Sequence, residues 1–442
     1  MKLQRELGVR DVTLFAIACI VGTRWIASAA HAGPGAILIW FLAALFFLIP
    51  LAVATAALTA RNPAAGGLYV WTREDFGPWH GFLAFWIYWV GIAFWFPSAA
   101  MFYMSIAASL AGPRYEYLAG NRAFLVVASL IAIWIALFTN MIGLKVGKWT
   151  ENAGAVASWV LGALLVTVAS LVWRRRGMAT PFHTLPEWNW DTASFFATIA
   201  YALTGFEMAG LMGAEIRDPE RAIRRAAWIA SVFTTIFYAG TTMALLVLLR
   251  PENISELNGL AQAGAEAGRT LGTRWLPQAI AVLVLFTAIG QFGGLGASVS
   301  RMPFAAGVDR LLPPAFAKVH PRWATPYISI LIFGVLASVM LVAIQFGDTI
   351  RGAYQTLVSL MVIAGFLPYI YMFGSAWKMG QKLSSISGWT VTLLAIVCSV
   401  VPTAETHNVW LFEIKLAVGT LAVIVSAGLL YRYSVRTALR NR

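Results

Sequence analysis

The sequence predicts an all-α polytopic membrane protein with about a dozen transmembrane helices, and three observations predict it. Hydrophobic residues make up 60% of the 442 and charged residues 12%, where a soluble globular chain carries about a quarter charged residues. Mean hydropathy is +0.74. So few polar side chains cannot cover a water-exposed surface, and most of the surface must face lipid. Runs such as Ala36–Leu58, Phe124–Thr139 and Leu331–Ile344 are nearly free of charge. With their flanks, most are long enough to cross a ~30 Å hydrocarbon core at ~1.5 Å per residue. Finally, the basic residues are unevenly partitioned. With the N-terminus inside, the cytoplasmic segments hold 21 Lys and Arg and the outer segments 10, which is the positive-inside bias.

Charge and Pro/Gly punctuation bound each span in order. Span 1, residues 12–31, runs from Asp11 to Gly33-Pro34. Span 2, 35–60, closes at Arg61-Asn62-Pro63. Span 3, 79–110, opens after Gly77-Pro78 and closes at Gly112-Pro113-Arg114. Span 4, 122–140, ends before Gly143 and Lys145, and span 5, 149–173, lies between Lys148 and Arg174–Arg176. Span 6, 192–214, runs from Asp191 to Glu215, and span 7, 222–249, from Arg221 to Arg250-Pro251. Span 8 covers 278–306, span 9 covers 326–346 and span 10 covers 352–377, ending at Lys378. Spans 11 and 12 cover 387–403 and 411–432. The polar stretch Pro251–Arg274 reads as an outer loop, and Arg174–Arg176 is the one outer basic cluster that breaks the charge rule. Trp71, Trp79, Trp173, Trp188, Trp190, Trp275, Trp323, Trp377 and Trp410 fall near run ends, where interface anchors belong.

Composition also excludes function classes. The Lys and Arg residues are scattered between apolar runs, so the formal charge of +13 is not a nucleic-acid-binding domain. Cys19 and Cys398 both fall in apolar stretches, which argues against a disulfide framework or a cysteine zinc site. The five histidines show no ligand spacing, so no metal and no cofactor is expected. No nucleophile–base pair suggests an intramembrane enzyme. Met1–Arg10 is polar and basic, and no small-residue cleavage site follows it, so span 1 is expected to be retained.

The chemistry concentrates where two spans are interrupted. Span 1 reads Val21-Gly22-Thr23-Arg24-Trp25, and span 6 reads Tyr201-Ala202-Leu203-Thr204-Gly205-Phe206-Glu207. Glycine costs roughly 1 kcal/mol against alanine in a helix interior, and each glycine lies near mid-membrane beside an ionisable residue. Span 6 follows span 1 by five helices. Glycine-interrupted helices at matching places in two halves point to an inverted-repeat transporter with a midplane site. Unwound backbone is tolerated in a membrane only where it lines a cavity or faces protein, and its free N–H and C=O groups can bind a carboxylate and an ammonium. The competing reading is that these glycines serve close helix packing. Arg24 needs a partner, since a cation near the bilayer centre costs at least ~2.5 kcal/mol. Two arrangements are open: a fixed ion pair, with Glu207 as its candidate partner, or a guanidinium fork for a substrate carboxylate. Trp25, Trp89 and Phe206 are candidates to cover a substrate side chain.

Three stretches resemble the amino acid–polyamine–organocation superfamily. They are Asn62–Trp71 followed by Phe76-Gly77-Pro78; Gly205-Phe206-Glu207 leading to Ala214-Glu215-Ile216-Arg217-Asp218-Pro219; and Ser300-Arg301-Met302 with Asp309–Pro313, Val319-His320-Pro321 and Thr325-Pro326. The resemblance implies the LeuT-type 5+5 inverted repeat with helices 1 and 6 broken. Residues 1–377 would then form the transport core, and 378–442 the last two helices with a short cytoplasmic tail. It implies a secondary transporter of amino acids or close derivatives in the bacterial inner membrane, both termini cytoplasmic. The alternative is an amino-acid sensor of the same fold without net transport. An arginine at the helix 1 break resembles the glutamate:GABA antiporter branch. Some proton-coupled relatives carry a lysine in helix 5, where this chain reads Ala157-Ser158-Trp159. The expected substrate site is Gly22, Thr23, Arg24, Trp25, Tyr201, Thr204, Gly205, Phe206 and Glu207. Trp89, Ser158, Glu215 and Arg301 are the candidates for gating or coupling. The expected partners are the amino acid and the lipid bilayer.

Overall fold

The computed structural model describes residues 5–181, 190–343, 345, 350–401 and 409–440. Trp188, named above as an anchor, and Lys2 and Arg442, counted above among the basic residues, lie outside the described residues. Each of the twelve expected spans is helical among its described residues; 344 and 346 of span 9 and 402–403 of span 11 lie outside them. Span 1 is α1 (Val9–Ile20) and α2 (Arg24–His31), bent by 47° at Val21–Thr23. Span 2 is α3 (Ala36–Ala43) and α4 (Ile49–Arg61), joined by a π-helical turn at Ala44–Leu48. The turn has a local cause. Pro50 lacks the N–H that the Phe46 carbonyl would accept in an α-helix, and that carbonyl instead accepts the Ser387 hydroxyl at 2.6 Å.

The amphipathic α5 (Leu68–Phe76) follows, then α6 (Pro78–Leu110), α7 (Arg122–Ile142) and α8 (Leu144–Arg176). Span 6 is α9 (Trp190–Ala202) and α10 (Glu207–Leu211), interrupted at Leu203–Phe206. Next come α11 (Pro219–Leu248), α12 (Gly259–Leu271), α13 (Leu276–Val299), α14 (Arg301–Val308) and α15 (Tyr327–Ala343). The chain closes with α16 (Ile350–Lys378), α17 (Lys382–Val400) and α18 (Val409–Arg440). Among the described residues nine helices are long and apolar enough to cross a membrane, and the bent α1–α2 pair makes a tenth. The remaining two expected spans are the short apolar α15 and the interrupted α9–α10.

Two segments differ from the sequence expectation. Pro251–Arg274 is not a plain loop, because it contains α12. There Leu260, Ala263, Gly264 and Ala267 recur at helical spacing and are buried. The segment after span 2 carries α5, which starts at the Gly66-Gly67 turn (φ +91° and +24°). A Cβ on Gly67 would lie 3.0 Å from Gly210, so that turn packs directly on α10.

α1, α6, α9–α11, α13 and α16 pack at the centre, and small residues bring them close. A Cβ on Gly154 of α8 would stand 2.5 Å from the Gly290 Cα of α13, the close approach that small residues permit in membrane helices. Val127, Ile131, Ile135 and Phe138 form an exposed apolar stripe on α7, and Val418, Leu421 and Val425 another on α18. With no water-facing role available to such stripes, these are lipid-facing surfaces.

Candidate functional site

The two interrupted helices meet at their interruptions. Gly205 adopts φ +115°, a backbone conformation side chains rarely tolerate, and a Cβ there would lie 3.0 Å from the Cys19 carbonyl oxygen. The breaks therefore touch backbone to backbone. Tyr238 of α11 ties them together. Its hydroxyl accepts from the Gly22 N–H at 2.8 Å and donates to the Ile20 carbonyl at 3.0 Å, with the Ala202 carbonyl of the second break 3.3 Å away. Trp40 stacks on the Tyr238 ring at 4.2 Å and holds it in place. Groups that an unbroken helix would pair internally are thus satisfied by one phenol.

Glu207 serves the second break in the same way. Its carboxylate accepts the Gly205 N–H at 3.0 and 3.1 Å and is held by the hydroxyls of Tyr88 and Tyr369. Among the described residues no ion pair joins it to Arg24. The guanidinium of Arg24 is fully buried. It donates to the Ser98 hydroxyl at 2.6 Å and to the Met361 sulfur at 3.2 Å, and it lies 3.9 Å over the Trp25 ring and 5.2 Å from that of Trp95. Stacking of this kind contributes about 2 kcal/mol or more when desolvated.

Between the breaks lies a hollow of about 20 Å³, walled by Cys19, Trp25, Trp95, Tyr201, Gly205 and Glu207 among others. That is room for a single water, not for an amino acid. Of the expected site residues, Trp25, Tyr201, Thr204, Gly205 and Glu207 line it. Gly22, Thr23, Arg24 and Phe206 do not line it; the Arg24 guanidinium stacks on the ring of Trp25, which does. Thr23 Oγ1 is buried beside Tyr103 and has no hydrogen-bond partner of good geometry among the described residues. Trp89 does not reach the hollow; it packs against Trp86 and Phe333. Ser158 is buried with its hydroxyl bonded to the Ala155 carbonyl of its own helix.

Glu215 and Arg301 do come together, buried rather than solvated. Arg301 Nε and Nη2 donate to the two carboxylate oxygens of Glu215 at 3.0 and 2.9 Å, with the pair only 1% and 3% exposed. The Glu215 carbonyl accepts the N–H groups of Glu6 and Leu7, and the Arg217 N–H donates to the Leu7 carbonyl. The N-terminal strand segment is thereby fastened across this end of the bundle. Beside it, Asp309 holds Arg73 and Tyr69 of α5. Burial, and then the hydrogen bond to Asp309, keep the Tyr69 phenol above its ordinary range, so it stays a donor.

Tyr88, Tyr238, Gln291 and Tyr369 were not among the expected site residues. Their signal was present: a phenol or amide in the middle of a span needs a buried partner. Tyr88 and Trp95, seven residues apart, share one face of α6.

A family model described as amino acid permease matches residues 7–418. An uncharacterised transporter of Legionella pneumophila is 26% identical over 95% of both chains. The serine/threonine exchanger of Bacillus subtilis is 25% identical over 77% of each. A protein of Lactococcus lactis named as a probable agmatine/putrescine antiporter is 22% identical over 77% of this chain and 72% of its own. The family match covers nearly the whole chain and both helix breaks, so this is an integral membrane protein belonging to the amino acid permease family.

Proposed function

We propose that the chain carries an amino acid across a bacterial inner membrane by alternating access, with both termini in the cytoplasm. The contact between two broken helices around a water-sized hollow carries this reading. A substrate carboxylate goes to the first break, where the opening N–H groups of α2 and the Thr23 hydroxyl face the unwound segment. Arg24 supplies the charge once the Trp25 indole moves aside. The ammonium goes to the carbonyl ends of α1 and α9, and Tyr201 and Trp95 meet the side chain. In this conformer the site is too small for substrate and the Glu215–Arg301 pair closes the N-terminal end. That pair is the cytoplasmic gate in this reading. Residues 1–377 act as the transport core, while α17 and α18 flank it.

The serine/threonine exchanger supports a substrate that bears a carboxylate; the agmatine/putrescine relative supports a diamine, which the charge of Arg24 would repel. No enzymatic step enters. Counterflow tests the reading: proteoliposomes preloaded with unlabelled L-amino acids should take up label from outside. Ligand-induced stabilisation without any counterflow would favour a sensor.

A further inference from the structure

Glu151 is a buried carboxyl that neither the break nor the gate uses. It lies on α8, 1% exposed, and its Oε1 has no hydrogen-bond partner among the described residues. Two glycines lie against it. A Cβ on Gly147 would lie 3.7 Å from that oxygen, and one on Gly293 of α13 would lie 3.5 Å from the Glu151 Cγ. The amide nitrogen of Asn140, on α7, is buried nearby and also without a partner. An intramembrane carboxyl left this way is costly as an anion unless a cation faces it.

Among the described residues, three charged groups act on Glu151 from the elements around it. They are Arg301 of α14, Glu215 from the turn after α10, and Asp11 of α1. The Cys19 thiol of α1 also lies within its field. Arg301 is the single cation among them, and both its Nε and Nη2 are committed to Glu215. Two buried carboxyls therefore share one guanidinium, and the charges balance when Glu151 holds a proton.

We propose that Glu151 is a proton site whose release is tied to the opening of the Glu215–Arg301 gate, making transport proton-coupled. The proposal rests on the transport reading above. Opening withdraws Glu215 from Arg301. Water then reaches Glu151, its O–H bond breaks, the proton leaves to the cytoplasm, and the carboxylate takes the guanidinium that Glu215 gave up. Closing reverses the exchange only after Glu151 is protonated again. Cys19 lines the substrate hollow and senses Glu151, so the hollow is the route for reloading from the other face.

Two measurements test this on the full-length protein. The first uses proteoliposomes containing a pH-sensitive dye and a labelled mixture of the proteinogenic L-amino acids. Wild type should accumulate label under an imposed proton gradient and acidify the lumen as it does so. Glu151→Gln should keep counterflow within about twofold and lose both gradient-driven accumulation and acidification, and Glu151→Asp should retain them. Wild-type counterflow with no proton movement overturns the proposal and leaves the transport reading standing. So does a Glu151→Gln protein that moves protons with substrate as wild type does.

The second needs no substrate and decides the matter even if counterflow fails. In a Cys398→Ser background, Cys19 alkylation from the gate side reports opening. The ratio of the rate with Glu151 to that with Glu151→Gln should rise from acidic to alkaline pH, which cancels the thiol's own titration. A ratio independent of pH overturns the proposal.

Discussion

Tyr238 stands between the two helix breaks, its hydroxyl 2.8 Å from the Gly22 nitrogen and 3.0 Å from the Ile20 oxygen. A phenol on α11 thereby completes the backbone of a different helix. Tyr238→Phe keeps the ring stacked on Trp40 but leaves the Gly22 N–H and the Ile20 carbonyl without their partner. A buried unsatisfied group costs roughly 1–3 kcal/mol, so melting temperature should fall clearly while expression persists. An unchanged melting temperature would mean that the hydroxyl does not hold the break.

Gly205→Ala should be far more damaging than Gly112→Ala. Both glycines have positive φ, +115° and +87°, so both substitutions pay backbone strain of roughly 1–3 kcal/mol. Only at Gly205 would the new methyl also meet backbone, the Cys19 oxygen at 3.0 Å; at Gly112 nothing lies within 4 Å. The difference between the two measured stabilities isolates the close approach of the breaks. Equal losses would show that the approach carries no energy.

The gate pair gives a third expectation. Arg301→Ala leaves Glu215 buried and unpaired, a change worth roughly 3–5 kcal/mol. The double variant with Glu215→Ala should recover part of that loss. Stabilities of the two single variants and the double form a closed cycle. Additive losses, with no recovery, would argue that each residue acts alone.

Orientation is tested independently of chemistry. A cysteine placed at Asn441, with Cys19 and Cys398 replaced, should resist a membrane-impermeant maleimide in intact cells and react after permeabilisation. Labelling in intact cells would invert the topology.

Much of the architecture was legible because lipid imposes a simple code. Charge and Pro/Gly punctuation bounded spans such as α6 and α11 to within a few residues, while α8 and α17 begin five residues before their expected starts and α18 runs eight past its expected end. The breaks were legible because Gly22 and Gly205 interrupt otherwise apolar runs beside Arg24 and Glu207. What the sequence hid was partnership. Nothing local says that Glu207 spends its oxygens on the Gly205 N–H and two phenols. Nor does it say that Arg24 stacks on Trp25 and donates to Ser98 and Met361, because those partners lie on α6 and α16, dozens to hundreds of positions away. Glu215 and Arg301 were legible as gating candidates, but not that their pair is buried, because the two stand 86 positions apart. α12 was missed because its buried face is built of alanine and glycine, which hydropathy scores weakly.

If the break at Gly22–Trp25 receives a carboxylate with Arg24 as its counter-charge, ligand-induced stabilisation of purified wild type, Arg24→Lys and Arg24→Ala across L-amino acids, agmatine and putrescine will show it. At least one L-amino acid should stabilise wild type. In Arg24→Lys, which loses the bidentate fork, its affinity should fall by about 1.5–3 kcal/mol, typical of a charged hydrogen bond, and in Arg24→Ala binding should vanish. Undiminished affinity in a well-folded Arg24→Ala, or stabilisation only by agmatine and putrescine, would contradict it.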